Sequence, residues 1–242
     1  MVHGFRRSLR GRSPSSRVPR RRDAIKAVGR GTAALRRGDL EAARSALDSA
    51  VKHDPSYAPA WNNLGVVVER TGKPLEALQH FNRALKLTPS FVDAWCNKGA
   101  ALLRLGRTDR AVECFNSALE IDARSELALM NLGVVRARQG DPKGAMDLFS
   151  RALREDPEYA ALWVNLGTAF LQAREVDRAL QCFNAALARR PDYPEAWLQK
   201  GRALLVSGKA GDARFCFERA LEVRRSFPEA KRALEFLQEV PS

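Results

Sequence analysis

Apolar and polar positions along this chain follow a register that returns at fixed intervals. Within the stretch from Ala58 to Phe91, Trp61, Leu64, Gly65 and Val68 stand at spacings of 3, 1 and 3, one face of a helix. After Gly72, a second stripe of Ala77, Phe81 and Ala84 follows at spacings of 4 and 3, and Pro89 closes the stretch. The pattern predicts two amphipathic helices joined by a short glycine-containing turn. Such a pair cannot bury both its faces alone, so the question is whether the chain repeats it.

It does, without insertions, at a period of 34 residues. With Ala58 as position 1, position 4 is Trp61, Trp95, Leu129, Trp163 and Trp197. Position 8 is glycine in six successive units, from Gly31 to Gly201, and positions 20 and 27 are always alanine. Position 24 is Leu47 and then Phe81, Phe115, Phe149, Phe183 and Phe217. Small residues at 8, 20 and 27 mark close helix crossings, where larger side chains would overpack the contact by typically about 1–3 kcal/mol. The bulky residues at 4 and 24 are expected to fill the space between, so the tryptophans read as core rather than as a base-stacking platform.

This pattern resembles the tetratricopeptide-repeat family over residues 24–240. The resemblance implies an all-α fold, a right-handed solenoid of tandem helix-turn-helix units. The units are 24–57, 58–91, 92–125, 126–159, 160–193 and 194–227, with a capping helix over 228–239. Glycine at position 15 (Gly38, Gly72, Gly106, Gly140, Gly208) stands where each first helix must stop, because glycine takes the left-handed conformation at little cost. Unit 5 has Arg174 there, so that turn is expected to be strained or slightly different. Asp141 and Pro142 form an N-cap followed by a proline at the first helical position. In the last helix Lys231 and Glu235 replace the residues that would meet a further repeat, while Leu234 and Leu237 face back, which suits a solubility cap.

Charge is uneven. The chain carries +13, of which residues 1–22 hold eight arginines and no acid; the remaining 33 basic and 28 acidic residues leave only +5. Residues 1–23 read as a basic, disordered tail. Its composition also fits a solvated arm, an organelle-targeting segment, or electrostatic attachment to nucleic acid or anionic lipid. Mean hydropathy is −0.35 and no apolar run approaches 18 residues, so no spanning helix is expected, and the solenoid is placed as soluble and cytoplasmic. The four cysteines, Cys96, Cys114, Cys182 and Cys216, lack metal-type spacing and read as buried structural thiols of a reducing compartment.

Little points to catalysis. The three histidines, His3, His53 and His80, form no set with a nucleophile, no glycine-rich loop follows a strand, and acidic pairs are scattered. The expectation is a non-enzyme with no cofactor and no metal. Lys98 and Lys200 take a position where the family usually has leucine; their stems can pack while the ammonium reaches water, and the core beside them is expected to be looser.

What remains is a second stripe on the first helices, positions 2, 6, 9 and 13. Position 6 is Asn63, Asn97, Asn131 and Asn165, followed by Gln199. Position 13 is Arg36, Arg70, Arg104 and Arg138, followed by Gln172 and Val206. Position 5 beside it is mostly small or apolar: Val28, Asn62, Cys96, Met130, Val164 and Leu198. In the family this stripe lines the concave surface. An amide donates and accepts at once, so an asparagine ladder can hold the backbone of an extended peptide whatever its side chains. The arginines would attract acidic groups. Asparagine could equally serve helix packing, and arginine two residues before a stop glycine suits the helix dipole. The two-carboxylate clamp of chaperone-binding members is missing: no three consecutive units supply its residues. The expectation is a protein-interaction scaffold binding an extended, somewhat acidic segment. The alternatives are attachment through the tail, or service as a repeat subunit of a separate enzyme such as a glycosyltransferase.

Overall fold

The structure is a computed structural model and describes residues 17–239. Residues 1–16, which carry most of the expected basic tail, lie outside them. Every regular element among the described residues is helical, and the chain divides into two compact units at Arg107/Thr108.

The first unit holds α1 (Arg17–Arg36), α2 (Leu40–His53), α3 (Ala58–Arg70), α4 (Pro74–Leu87) and α5 (Val92–Arg104). α1 packs against α2, and α3 against α4, as antiparallel hairpins; α3 also meets α2, and α5 meets α4. α1 starts at Arg17, so residues 17–23, assigned to the tail from sequence, are helical. Two contacts of Arg21 account for part of this. Its Nη1 lies 3.2 Å from Asp54 Oδ2, and its guanidinium sits 4.7 Å from the centre of the Tyr57 ring. The core is a run of interlocked small and large side chains. Leu47 packs with Ala43, Leu64 and Val67, and Phe81 with Val68, Ala77 and Ala101. A Cβ on Gly31 would stand 2.7 Å from Leu47 Cγ, and one on Gly65 only 2.5 Å from Phe81 Cε1. The fixed glycine at position 8 is therefore the space into which the position-24 side chain fits.

The second unit holds α6 (Thr108–Ile121), α7 (Glu126–Arg138), α8 (Pro142–Glu155), α9 (Ala160–Gln172), α10 (Val176–Arg189), α11 (Pro194–Val206), α12 (Ala210–Val223) and α13 (Pro228–Glu239). Its hairpins are α7/α8, α9/α10 and α11/α12. Asp141 caps α8 as expected, its Oδ1 accepting from Gly144 N at 2.8 Å with Pro142 at the first helical position. Leu234 and Leu237 of α13 pack on Phe217 and Phe227 of the preceding repeat, while Lys231 and Glu235 are exposed. The outer side of α13 is not wholly polar, because Phe236 remains 57% exposed.

The turn at Arg174 is ordinary in shape. Gly72 takes φ +82°, its N–H donates to Glu69 O at 2.9 Å, and Lys73 N donates to Val68 O. Arg174 takes φ +63° and makes the same pair of bonds, Arg174 N to Leu171 O and Glu175 N to Phe170 O. Two hydrogen bonds hold a non-glycine residue in the left-handed region, so the cost falls on its backbone rather than on the path of the chain.

The tryptophans, read from sequence as core, are only half-buried. Each indole N–H donates to the carbonyl of the proline that ends the preceding repeat: Trp61 to Pro55 at 2.9 Å, and Trp95 to Pro89, Trp163 to Pro157 and Trp197 to Pro191 at 2.8 Å. An indole has one polar edge that needs a partner, and the end of the helical hairpin supplies one. Leu129, whose side chain has no N–H to place, is 1% exposed. Lys98 and Lys200 lie with their ammonium groups 5.0 and 5.4 Å from the centres of Trp95 and Trp197, within cation–π range. All four cysteines are buried thiols. Burial pushes the Cys182 thiol up to about 11, and burial likewise raises Cys216.

Candidate peptide-binding stripe

Position 6 lies mid-helix on α3, α5, α7 and α9, two residues before the buried position-8 glycine and so about 200° round the helix from it. Asn63, Asn97, Asn131 and Asn165 are all half-buried. Position 13 is the last residue of its helix, and Arg36, Arg70, Arg104 and Arg138 are all exposed. The two units use these residues differently.

In the first unit the amides bond within the protein. Asn63 Nδ2 donates to Thr32 Oγ1 on α1 at 3.3 Å, and Asn97 Nδ2 donates to Asn62 Oδ1 on α3 at 3.0 Å. The arginines also reach back by one repeat. Arg70 Nη1 donates to Leu35 O at 3.4 Å, a carbonyl at the C-terminal end of α1, and Arg104 Nη1 lies 3.6 Å from Glu69 Oε1. Burial pushes the Glu69 carboxyl up, and the guanidinium of Arg104, with Arg70 behind it, opposes that shift. Arg70 thus meets the C-terminal end of α1 rather than that of its own helix, and part of the charge of Arg104 is already balanced. Arg36 keeps its guanidinium exposed.

In the second unit the amides are open. Among the described residues the side chains of Asn131 and Asn165 have no hydrogen-bond partner, and Arg138 forms no ion pair. Thr168 Oγ1 donates to Val164 O at 2.8 Å, as Thr32 does to Val28, so the hydroxyl beside Asn165 has spent its proton on the main chain.

One member of this hydrogen-bond network escaped the sequence reading. Asn62, grouped there with the small or apolar residues of position 5, is 4% exposed and bonds to both Asn63 and Asn97. Its signal was its polarity in an otherwise apolar column. A surface depression of about 560 Å³ lies on α1 and α2 between residues such as Arg30, Arg37, Ala42 and Ser49, and includes none of the ladder. Among the described residues no group of three His, Cys, Asp or Glu is placed to hold a metal ion, and no helix is long and apolar enough to cross a membrane.

Comparison with solved structures places the fold. The chain superposes on the APC/C hetero-tetramer Cut9-Hcn1 with a TM-score of 0.84 at 23% identity, covering 92% of this chain and 44% of that one. It therefore spans less than half the length of that neighbour. With PilF of Pseudomonas aeruginosa the TM-score is 0.75 at 21% identity, over 92% of this chain and all of that one (100%). With YrrB, described as a TPR protein with an unusual peptide-binding site, it is 0.57 at 19% identity, over 78% and 97% of the two chains. No curated protein matches the sequence. Two family profiles, both described as tetratricopeptide repeat, match: one at residues 28–90, 70–126, 96–160 and 164–222, the other at 136–189. With the 34-residue register, the glycine–phenylalanine interlock and these matches in agreement, the chain belongs to the tetratricopeptide repeat family.

Proposed function

We propose that this protein is a non-catalytic scaffold that binds an extended, somewhat acidic protein segment along the asparagine stripe of its first helices. The observation that carries the reading is the pair of half-buried, unengaged amides at Asn131 and Asn165. A half-buried amide without a partner is a poor packing device, since it loses water without gaining a bond. It is a good peptide contact, since it offers a donor and an acceptor to a passing backbone. Arg138, exposed at the end of α7, favours carboxylates in the bound segment. The description of YrrB as a peptide-binding repeat protein is consistent with this use of the fold.

The test uses decapeptides selected on the full-length chain from a random phage-displayed library. Asn131→Ala with Asn165→Ala should weaken the selected peptides by about 10-fold or more, the equivalent of one or two lost hydrogen bonds. The thermal midpoint should move little, because these amides have no partner among the described residues. Unchanged affinity together with a large loss of stability would assign the asparagines to packing and sink the groove.

A further inference from the structure

Four side chains of the first unit form one directed hydrogen-bond chain across α1, α3 and α5. It begins at a main-chain carbonyl, which can only accept. Thr32 Oγ1 donates to Val28 O at 2.9 Å. A hydroxyl has one proton, so Thr32 can then only accept, and it does so from Asn63 Nδ2 at 3.3 Å. That sets the orientation of the Asn63 amide and turns its Oδ1 to Asn62, whose Nδ2 donates to it at 3.3 Å. Asn62 must then present its own Oδ1 to the next helix, where Asn97 Nδ2 donates at 3.0 Å. Each orientation follows from the one before. All donors point the same way, from Asn97 towards Val28, the arrangement in which successive bonds polarise one another.

Asn62 is the joint of this relay. Val28, Cys96, Met130, Val164 and Leu198 fill the same register in the other repeats, so packing alone asks for no amide there. Burying one is costly unless both its ends are bonded, and at 4% exposure both are. What Asn62 does that valine cannot is decide which end of the Asn97 amide is spent inside the protein. Nδ2 is spent, and Oδ1 is left out of the relay.

We infer that Asn62 is a positioning residue of the peptide site, turning Asn97 so that its Oδ1 is the acceptor for a backbone N–H of the bound segment. This rests on the groove reading above. It makes the Asn97 rung selective: a residue without a backbone N–H, such as proline, is disfavoured opposite it. Asn165, for which Met130 holds the place of Asn62 one repeat back, has no such fixing partner and accepts either polarity.

The experiment takes one selected decapeptide and replaces each backbone N–H by N–CH3 in turn. Binding is measured to the full-length chain, to Asn62→Val and to Asn97→Ala. One methylation should cost the native chain about 5- to 10-fold, the worth of one good hydrogen bond. The same methylation should cost Asn97→Ala nothing further, and the penalty in Asn62→Val should shrink to less than about twofold as the Asn97 amide becomes free to turn. Side-chain amide NMR should show the two Asn97 protons, inequivalent in exchange with water in the native chain, becoming alike in Asn62→Val. Should Asn62→Val fail to fold, Asn62→Cys, after Cys96 at the same register, replaces it. An equal penalty in native and variant chains overturns the positioning role while leaving the groove intact. A failure to select any peptide, or affinity indifferent to Asn97→Ala, Asn131→Ala and Asn165→Ala alike, overturns the groove and this inference with it.

Discussion

Glycine to alanine should have opposite signs at two positions of the first unit. Gly29, inside α1, has nothing within 4 Å of the site a Cβ would take. Alanine there removes the conformational freedom glycine has in the unfolded chain and should stabilise by about 1 kcal/mol. Gly65, inside α3, would gain the same propensity but meets the Phe81 ring, with Cε1 at 2.5 Å, Cδ1 at 2.8 Å and Cζ at 3.0 Å from the new carbon. Carbon atoms pack at about 3.5–4.0 Å, so the shortfall approaches 1 Å. Phe81 is fully buried among Val68, Ala77 and Ala101 and cannot swing away. Overpacking of this kind costs about 1–3 kcal/mol, and with three ring atoms too close the upper half of that range applies. Net destabilisation of about 1–2 kcal/mol follows, which separates the two variants by roughly 2–3 kcal/mol. For a chain of this length that is a gap of about 5–10 °C between thermal midpoints. Midpoints from circular dichroism on both variants, prepared side by side, give the comparison, and no two-state fit is needed, which suits a repeat array. Gly65→Ala melting at or above Gly29→Ala would refute the interlock.

Arg174→Gly should stabilise the α9/α10 hairpin by about 0.5–1 kcal/mol, the relief at φ +63° less the extra unfolded-state freedom of glycine, read as a rise in denaturation midpoint. Gly72→Ala at φ +82° should lower the midpoint by about 1 kcal/mol. His80, stacked 5.8 Å from Trp61, is held below its ordinary value of 6.5 by burial, against the pull of Glu76 and Asp48 and with the aid of Arg44. The unfolded chain therefore binds more protons in that window, and stability should fall as pH drops below 6.5 towards the lowered folded value. His80→Leu, the residue Leu148 already places at that register, should flatten the dependence; an unchanged slope would move its origin elsewhere.

The frame of this fold was legible because each frame residue answers a steric demand that repeats every 34 residues. Gly65 is small for the reason that Phe81 is large, and the pair recurs at Gly133 and Phe149, where the would-be contact is 2.6 Å. Where a residue has two physical faces, periodicity reports one. Trp61 reads as bulk, but its position is decided by the indole N–H and the Pro55 carbonyl, a bond between a side chain and the loop before it. Arg174 reads as an exception to a turn, yet hydrogen bonding overrides the residue's own preference. The stripe was legible as a list and not as a network. Nothing in its spacing tells that Asn63 and Asn97 bond inward while Asn131 and Asn165 do not, because that depends on Thr32 and Asn62, one in the preceding repeat and one in an adjoining column.

The indole bonds also have a mechanical consequence. Each joins a first helix to the bend that precedes it, so the joints at Trp61, Trp95, Trp163 and Trp197 resist shear as well as separation. Between α6 and α7 the corresponding residues are Ala123 and Leu129, and a leucine side chain has no N–H to donate to the carbonyl at that place. Apolar surfaces can slide past one another at constant area, whereas a hydrogen bond weakens steeply as its angle opens. A load along the second unit would therefore be taken up unevenly, with the α6/α7 joint as its compliant link and the tryptophan joints as its stiff ones.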